Sequence, residues 1–208
     1  MHSSLLRRTA TATLLLAGLA LPATTSAAPS KGVVRGADVR AEASGKRSAR
    51  SAQQDCANAD VMPAAGNDAV VRTAILCLHN QIRAQRGLPL LKENGRLRKA
   101  AVRHSADMVK RGFFEHTTPS GVSMTERIMA TRYVPRNAGW AIGENLAWGT
   151  GRLGTPREVM RAWMESPGHR ANVVKRAYRE VGIGVVTGTP SAGPAGATYT
   201  ADFGVIRR

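Results

Sequence analysis

The order in which two hydrophobic periods occur along the chain constrains its fold more than any other feature. Val71, Ile75, Leu78 and Ile82 recur at the spacing of one helix face. Gly87 marks the end of that helix, with Pro89 just beyond it. A second helix is expected from near Glu93 to Arg111, with Leu97, Ala100, Ala101, His104 and Met108 on its apolar face and Gly112 at its end. Ser123 and Glu126 make a capping-box pattern for a short third helix. Thr155, Pro156 and Glu158 supply the cap, first-turn proline and box partner of a helix running to about Glu165. Ser166 and Pro167 repeat the cap-proline signature before a short helix carrying His169. Trp140 to Trp148 reads as a strand. Val181–Thr187 and Thr198–Val205 are β-rich, and the Gly-, Pro- and Ser-rich 188–196 stretch is the hairpin loop between them. Helices come first and strands mostly last, which points to an α+β fold whose antiparallel sheet is covered by helices.

The front of the chain has a different character. Arg7 and Arg8 precede a short apolar core, Leu14 to Leu21, and small residues follow. The run is shorter than the ~20 residues that span a bilayer, so residues 1–28 read as a signal peptide with cleavage near Ala27 or Ala28. No second segment is long and apolar enough to span. Residues 29–66 form a basic linker, poor in large apolar residues and expected to be disordered, most clearly from Pro29 to about Asp55. The globular domain then covers 67–208. Cys56 and Cys77 are the two cysteines, and outside the cytosol an even count favours a disulfide.

The formal net charge is +16. Only 4% of residues are aromatic, too few for a base-stacking platform, and the Lys and Arg residues are scattered, so nucleic acid is disfavoured as a partner. Outside the cell, a basic surface attracts anionic wall polymers and lipid headgroups. An ordinary solvated surface explains the same charge.

Three polar groups stand out by their neighbours. His116 follows a helix end in Phe113-Phe114-Glu115-His116, Glu144 interrupts an apolar strand, and His169 sits in the first turn of a helix. A carboxylate and two imidazoles can make a metal site, a general-base pair or a buried hydrogen-bonded network, and spacing leaves all three open. His79 and His104 read as buried polar residues on apolar helix faces. Trp140, Trp148 and Trp163 read as core. Asn145 reads as satisfying backbone groups, and Arg170 as either a surface arginine or an acid's partner. Ser166 is better explained as an N-cap than as a nucleophile.

Several stretches together resemble the bacterial branch of the CAP superfamily, the cysteine-rich secretory, antigen 5 and pathogenesis-related 1 proteins with an SCP domain. They are His79-Asn80 with Arg83, His104-Ser105 with Asp107-Met108, Phe114 with His116, and Gly143-Glu144-Asn145 with Ala147. Trp163 with Ser166-Pro167-Gly168-His169-Arg170 and Asn172, Gly182-Ile183-Gly184, and Tyr199 with Phe203-Gly204 complete the set. The resemblance implies an α-β-α sandwich with a central antiparallel sheet flanked by helices. It also implies a cleft lined by two histidines and two acidic residues, with His116, Glu144 and His169 in three of those places. The fourth place falls on Ser166. The nearby acid, Glu165, is one position early, a rotation of about 100° on a helix, which puts its place in the cleft in doubt. In some members the two histidines hold zinc or another divalent ion, which here would be His116 and His169.

The function expected from these readings is a secreted binding or regulatory module with a His/Glu-lined cleft. It would act outside the cell or at its envelope on a wall polymer, a lipid or a protein partner, with catalysis not expected. The alternative is a metal-dependent hydrolase of peptide or peptidoglycan bonds. In it Glu144 would serve either as third ligand or as base toward bound water, but not as both.

Overall fold

The computed structural model describes residues 56–191 and 195–207. The expected signal peptide and the linker as far as residue 55 lie outside them. Helix α1 spans Asp68–Ala84 and opens with an Asp68–Arg72 ion pair at 3.0 Å. It ends before Gly87, whose φ of 59° lets the chain reverse. Strand β1 is only Lys92–Glu93, and Asn94 then caps helix α2, Gly95–Arg111, accepting from the amides of Arg96 and Leu97. The strand takes the place where sequence periodicity put the start of α2. Helix α3, Met124–Met129, carries the expected capping box of Ser123 and Glu126.

Strand β2 covers Gly139–Thr150, and a 3₁₀ turn follows at Gly151–Gly154. Helix α4 is Pro156–Glu165, without the expected box. The Thr155 hydroxyl donates to the Arg152 carbonyl at 2.9 Å instead, and Glu158 pairs with Arg152 and Arg161. Helix α5 is Pro167–Val173; Ser166 stands at its N-cap position but its side chain makes no capping bond. Strands β3, Glu180–Thr187, and β4, Gly196–Arg207, complete the set.

The four strands lie in the order β1-β3-β4-β2. β3–β4 and β4–β2 are antiparallel, and the two-residue β1 adds a parallel edge to β3. Side chains alternate across the sheet. Val181, Ile183 and Val185 of β3 join Val71, Ile75, Leu78 and Trp163 in the main core under α1 and α4. Gly182 and Gly184 turn the other way and admit α2: a Cβ on either would collide with the α2 backbone at Leu97–Arg98 or Ala101. Helices therefore cover both faces, giving the expected three-layer α-β-α arrangement. β2 is a sheet edge, and two of its carbonyls are taken by side chains. Trp163 Nε1 donates to Leu146 at 2.9 Å and Asn172 Nδ2 to Glu144 at 3.1 Å. Such bonds block the middle of the edge from pairing with another chain.

Two buried groups of α1 lock the layers. Arg83 is fully buried and donates to the carbonyls of Pro89, Val173, Lys175 and Tyr178. His79 is buried against Trp163 and Phe203 and bonds to the Ile75 carbonyl at 2.9 Å. Burial pushes its imidazole down to about 4.

Residues 56–66, assigned by composition to the linker, pack against the domain. Cys56 and Ala59 are buried, Cys56 is disulfide-bonded to Cys77, and the Arg157 amide donates to the Ala59 carbonyl at 2.8 Å. The composition signal failed here because a cross-link, backbone bonds, an Asp60–Arg157 ion pair and a few small apolar side chains hold the segment without a helical or strand period. Closing a loop of this length stabilises by roughly 3 kcal/mol in the chain-entropy view. Among the described residues no helix is long and apolar enough to cross a membrane.

Candidate functional site

Glu144 lies on β2 directly opposite Asp202 of β4, and both side chains are buried on the α2 side of the sheet. The Glu144 side chain is 1% exposed and both its oxygens are engaged. His116 Nδ1 meets Oε1 at 2.8 Å, and Arg127 of α3 donates to Oε2 at 2.6 Å. Arg127 also donates to the His116 carbonyl at 2.8 Å, so one guanidinium holds both the acid and the loop that presents the imidazole. Burial alone would raise the Glu144 carboxyl; the bonds from His116 and Arg127 outweigh it and hold the group below its ordinary value. The same bond raises His116 against the opposing effect of burial.

Behind this triad stand two groups with no free access to solvent. Asp202 is fully buried, and no protein N–H reaches either of its oxygens. Burial, and then the adjacent Glu144 charge, push its carboxyl well above the usual range. That direction favours the neutral carboxyl, which faces Glu144 across the strand pair with neither oxygen hydrogen-bonded. His104 is buried beneath the same loop, bonded to the Glu115 carbonyl at 2.9 Å, and burial lowers its imidazole.

His169 approaches from α5. Its position is fixed through Asn145, which donates to the His169 carbonyl at 2.9 Å, and through Asn172, which donates to Asn145 Oδ1 at 2.9 Å. Asn145 thus satisfies a backbone carbonyl at the start of α5. Burial, followed by the nearby His116 charge, lowers the His169 ring. His169 borders a pocket of about 270 Å³ together with Phe114, Leu146, Trp148, Trp163 and Ser166.

The structure thus joins His116 to Glu144 directly, and places His169 near enough for the His116 charge to act on its ring. Glu165 is not among them: it pairs with Arg161 at 3.0 Å, its side chain is 65% exposed, and Ser166 lines the pocket in its stead. Trp163 is core, but Trp140 and Trp148 are 42% and 43% exposed, contrary to the expectation that all three tryptophans are core. Both lie toward the ends of the edge strand β2, on the same face as the buried Glu144. Arg170 is exposed and donates to the Met164 carbonyl rather than to an acid.

Arg127 and Asp202 were missed. Arg127 sits in a helix too short to show a clear period, where an arginine looks like ordinary surface. Asp202 gave the signal that marked Glu144, a carboxylate inside an otherwise apolar strand, and that signal went unused.

The donor set fits a metal only in part. With Nδ1 turned to Glu144, His116 keeps Nε2 for a ligand, the arrangement in which a carboxylate orients an imidazole from behind. Among the described residues, however, no three His, Cys, Asp or Glu side chains are placed to hold an ion. A catalytic zinc takes three protein ligands, and Glu144, buried and doubly bonded, is not placed to be the third.

Comparison with known proteins bears on the family. The family model of the cysteine-rich secretory proteins, CAP, matches residues 76–203, more than half of the chain. The chain belongs to the CAP family. Its CAP domain is 34% identical over 109 residues to the uncharacterized protein YkwD of Bacillus subtilis, covering 52% of this chain and 40% of that protein. It is 31% identical over 111 residues to the uncharacterized membrane protein YlbC of the same organism, covering 53% and 30%. The chain thus spans well under half the length of these curated relatives. An extracellular SCP-domain protein from Bacillus anthracis superposes with a TM-score of 0.53 at 25% identity, covering 69% of this chain and 41% of that one. An outer surface protein from Borrelia burgdorferi gives the same TM-score at 20% identity, covering 64% and 90%, and so shares the CAP fold.

Proposed function

We propose that this is an exported CAP protein whose cleft binds an envelope glycan fragment without cleaving it. The observation that carries this reading is the state of Glu144. Its oxygens are sealed from water and bonded to His116 and Arg127, so it is held as an anchor for His116 rather than as a free base. What remains open to a ligand is one half-exposed imidazole, a second at the pocket edge, and the aromatic faces of Trp148 and Phe114. An apolar ring face stacks on such aromatics while polar substituents meet the imidazoles. Sugar rings present both surfaces.

Export is supported by the signal-like N-terminus, by the disulfide and by the extracellular description of the Bacillus anthracis neighbour. The test is a titration of the exported chain with soluble muropeptides, followed by tryptophan emission, with mass spectrometry of the fragments afterwards. Saturable binding, weakened about tenfold or more (1.4 kcal/mol) by Trp148→Ala, with fragments intact, is the expected result. Cleaved fragments, with cleavage lost in His116→Ala, would establish the hydrolase instead.

A further inference from the structure

A second concave site lies away from the histidine cleft, where the start of α2 meets the turn before β2 and the approach to β3. It encloses about 970 Å³. Its base is Tyr133, buried beneath Gly204, where a Cβ would collide with the phenol ring. Tyr133 donates its hydroxyl to Glu180 at 2.8 Å, and Asn94 Nδ2 donates to the other Glu180 oxygen at 2.8 Å. The acid in this cavity is thus already bonded twice, to neutral groups.

The walls carry three arginines from three separate segments: Arg96, Arg136 and Arg179. All three are exposed, and none pairs with a carboxylate among the described residues. Two are held in place by backbone. Arg96 donates to the Arg132 carbonyl at 2.8 Å, and Arg179 donates through one nitrogen to the carbonyls of Arg176, Ala177 and Tyr178. Each keeps further N–H donors for a ligand. Arg136, in the Pro135–Ala138 turn, has no side-chain hydrogen-bond partner among the described residues. The amides at the start of α2 add little, because Asn94 already takes those of Arg96 and Leu97. Three guanidiniums therefore face one carboxylate in a cavity far larger than a single ion.

We infer that this arginine-walled cavity is a second binding site, for a phosphodiester segment of an anionic envelope polymer. Guanidinium forks match phosphate oxygens in pairs. Three of them, on separate segments, suit successive phosphates along a chain better than one isolated carboxylate. The cavity is at the upper end of ligand-site volumes. The site does not depend on the glycan reading of the histidine cleft, and either can fail alone.

The experiment uses the full exported chain and a short soluble poly(glycerol phosphate), read by calorimetry. Arg136→Gln removes a side chain with no structural partner, and Arg103→Gln removes an equal charge from an exposed position on α2 outside the cavity. The expected result is saturable binding, weakened about tenfold by Arg136→Gln, less so by Arg136→Lys, and changed less than about twofold by Arg103→Gln. Equal losses in the two glutamine variants would mean nonspecific charge attraction and overturn the site. Vesicles of phosphatidylglycerol present the same phosphodiester on a surface. Binding to vesicles without binding to the soluble polymer would also overturn the assignment, whereas competition between the two at Arg136 supports the shared chemistry.

Discussion

Asp202 and Glu144 oppose each other across β2 and β4, and their environments drive their protonation apart. Glu144 has a guanidinium and an imidazole; Asp202 has burial and a neighbouring negative charge. A carboxyl whose folded value is raised binds its proton more tightly in the native state than in the unfolded chain. Its contribution to stability is complete below the unfolded value of 3.8 and is lost as pH rises through the folded value. Asp202→Asn keeps the size and shape of the side chain and cannot ionise. The stability of this variant minus that of the parent, measured by urea unfolding at a series of pH values, should therefore increase as pH rises from about 4 toward neutrality. A difference that is flat, or that falls with pH, would mean that Asp202 is ionised in the native state.

At the level of elements, the approach of α2 to β3 is set by Gly182 and Gly184. Gly184→Ala places a methyl group against the α2 backbone at Ala101, with no flexible side chain to yield. Overpacking of this kind costs about 1–3 kcal/mol, and thermal unfolding should show the loss. A variant as stable as the parent would mean that α2 can shift along the sheet at no cost. The Gly-Ile-Gly run was legible in the sequence as part of the family pattern, but its cause was not, because it depends on which helix lands on which strand. Helices with a clear apolar stripe, α1 and α2, were legible from periodicity alone. β1 was not: two residues carry no period, and they become a strand only by pairing with Glu180 and Val181. The box expected at Thr155 failed because Arg152 offered both the hydroxyl and Glu158 nearer partners.

Across the whole domain, the grouping of His116, Glu144 and His169 was expected only through resemblance, since they come from a loop, a strand and a helix start. The network that governs them was not legible. Arg127 and Asp202 acquire their roles from β2–β4 register and from the packing of α3, which no local pattern encodes. The four imidazoles of the described residues sample these environments together: His79 in the core, His104 bonded to the Glu115 carbonyl, His116 on Glu144, and His169 at the pocket edge. Their titration in the chelator-treated exported chain, followed by NMR, tests the account most directly. His79 should titrate near 4, His104 and His169 below the ordinary 6.5, and His116 alone above it. Glu144→Gln should bring His116 back down. A His116 that titrates at or below 6.5 with Glu144 intact would contradict the account, because Glu144 would then be free of the imidazole and available as a ligand or a base.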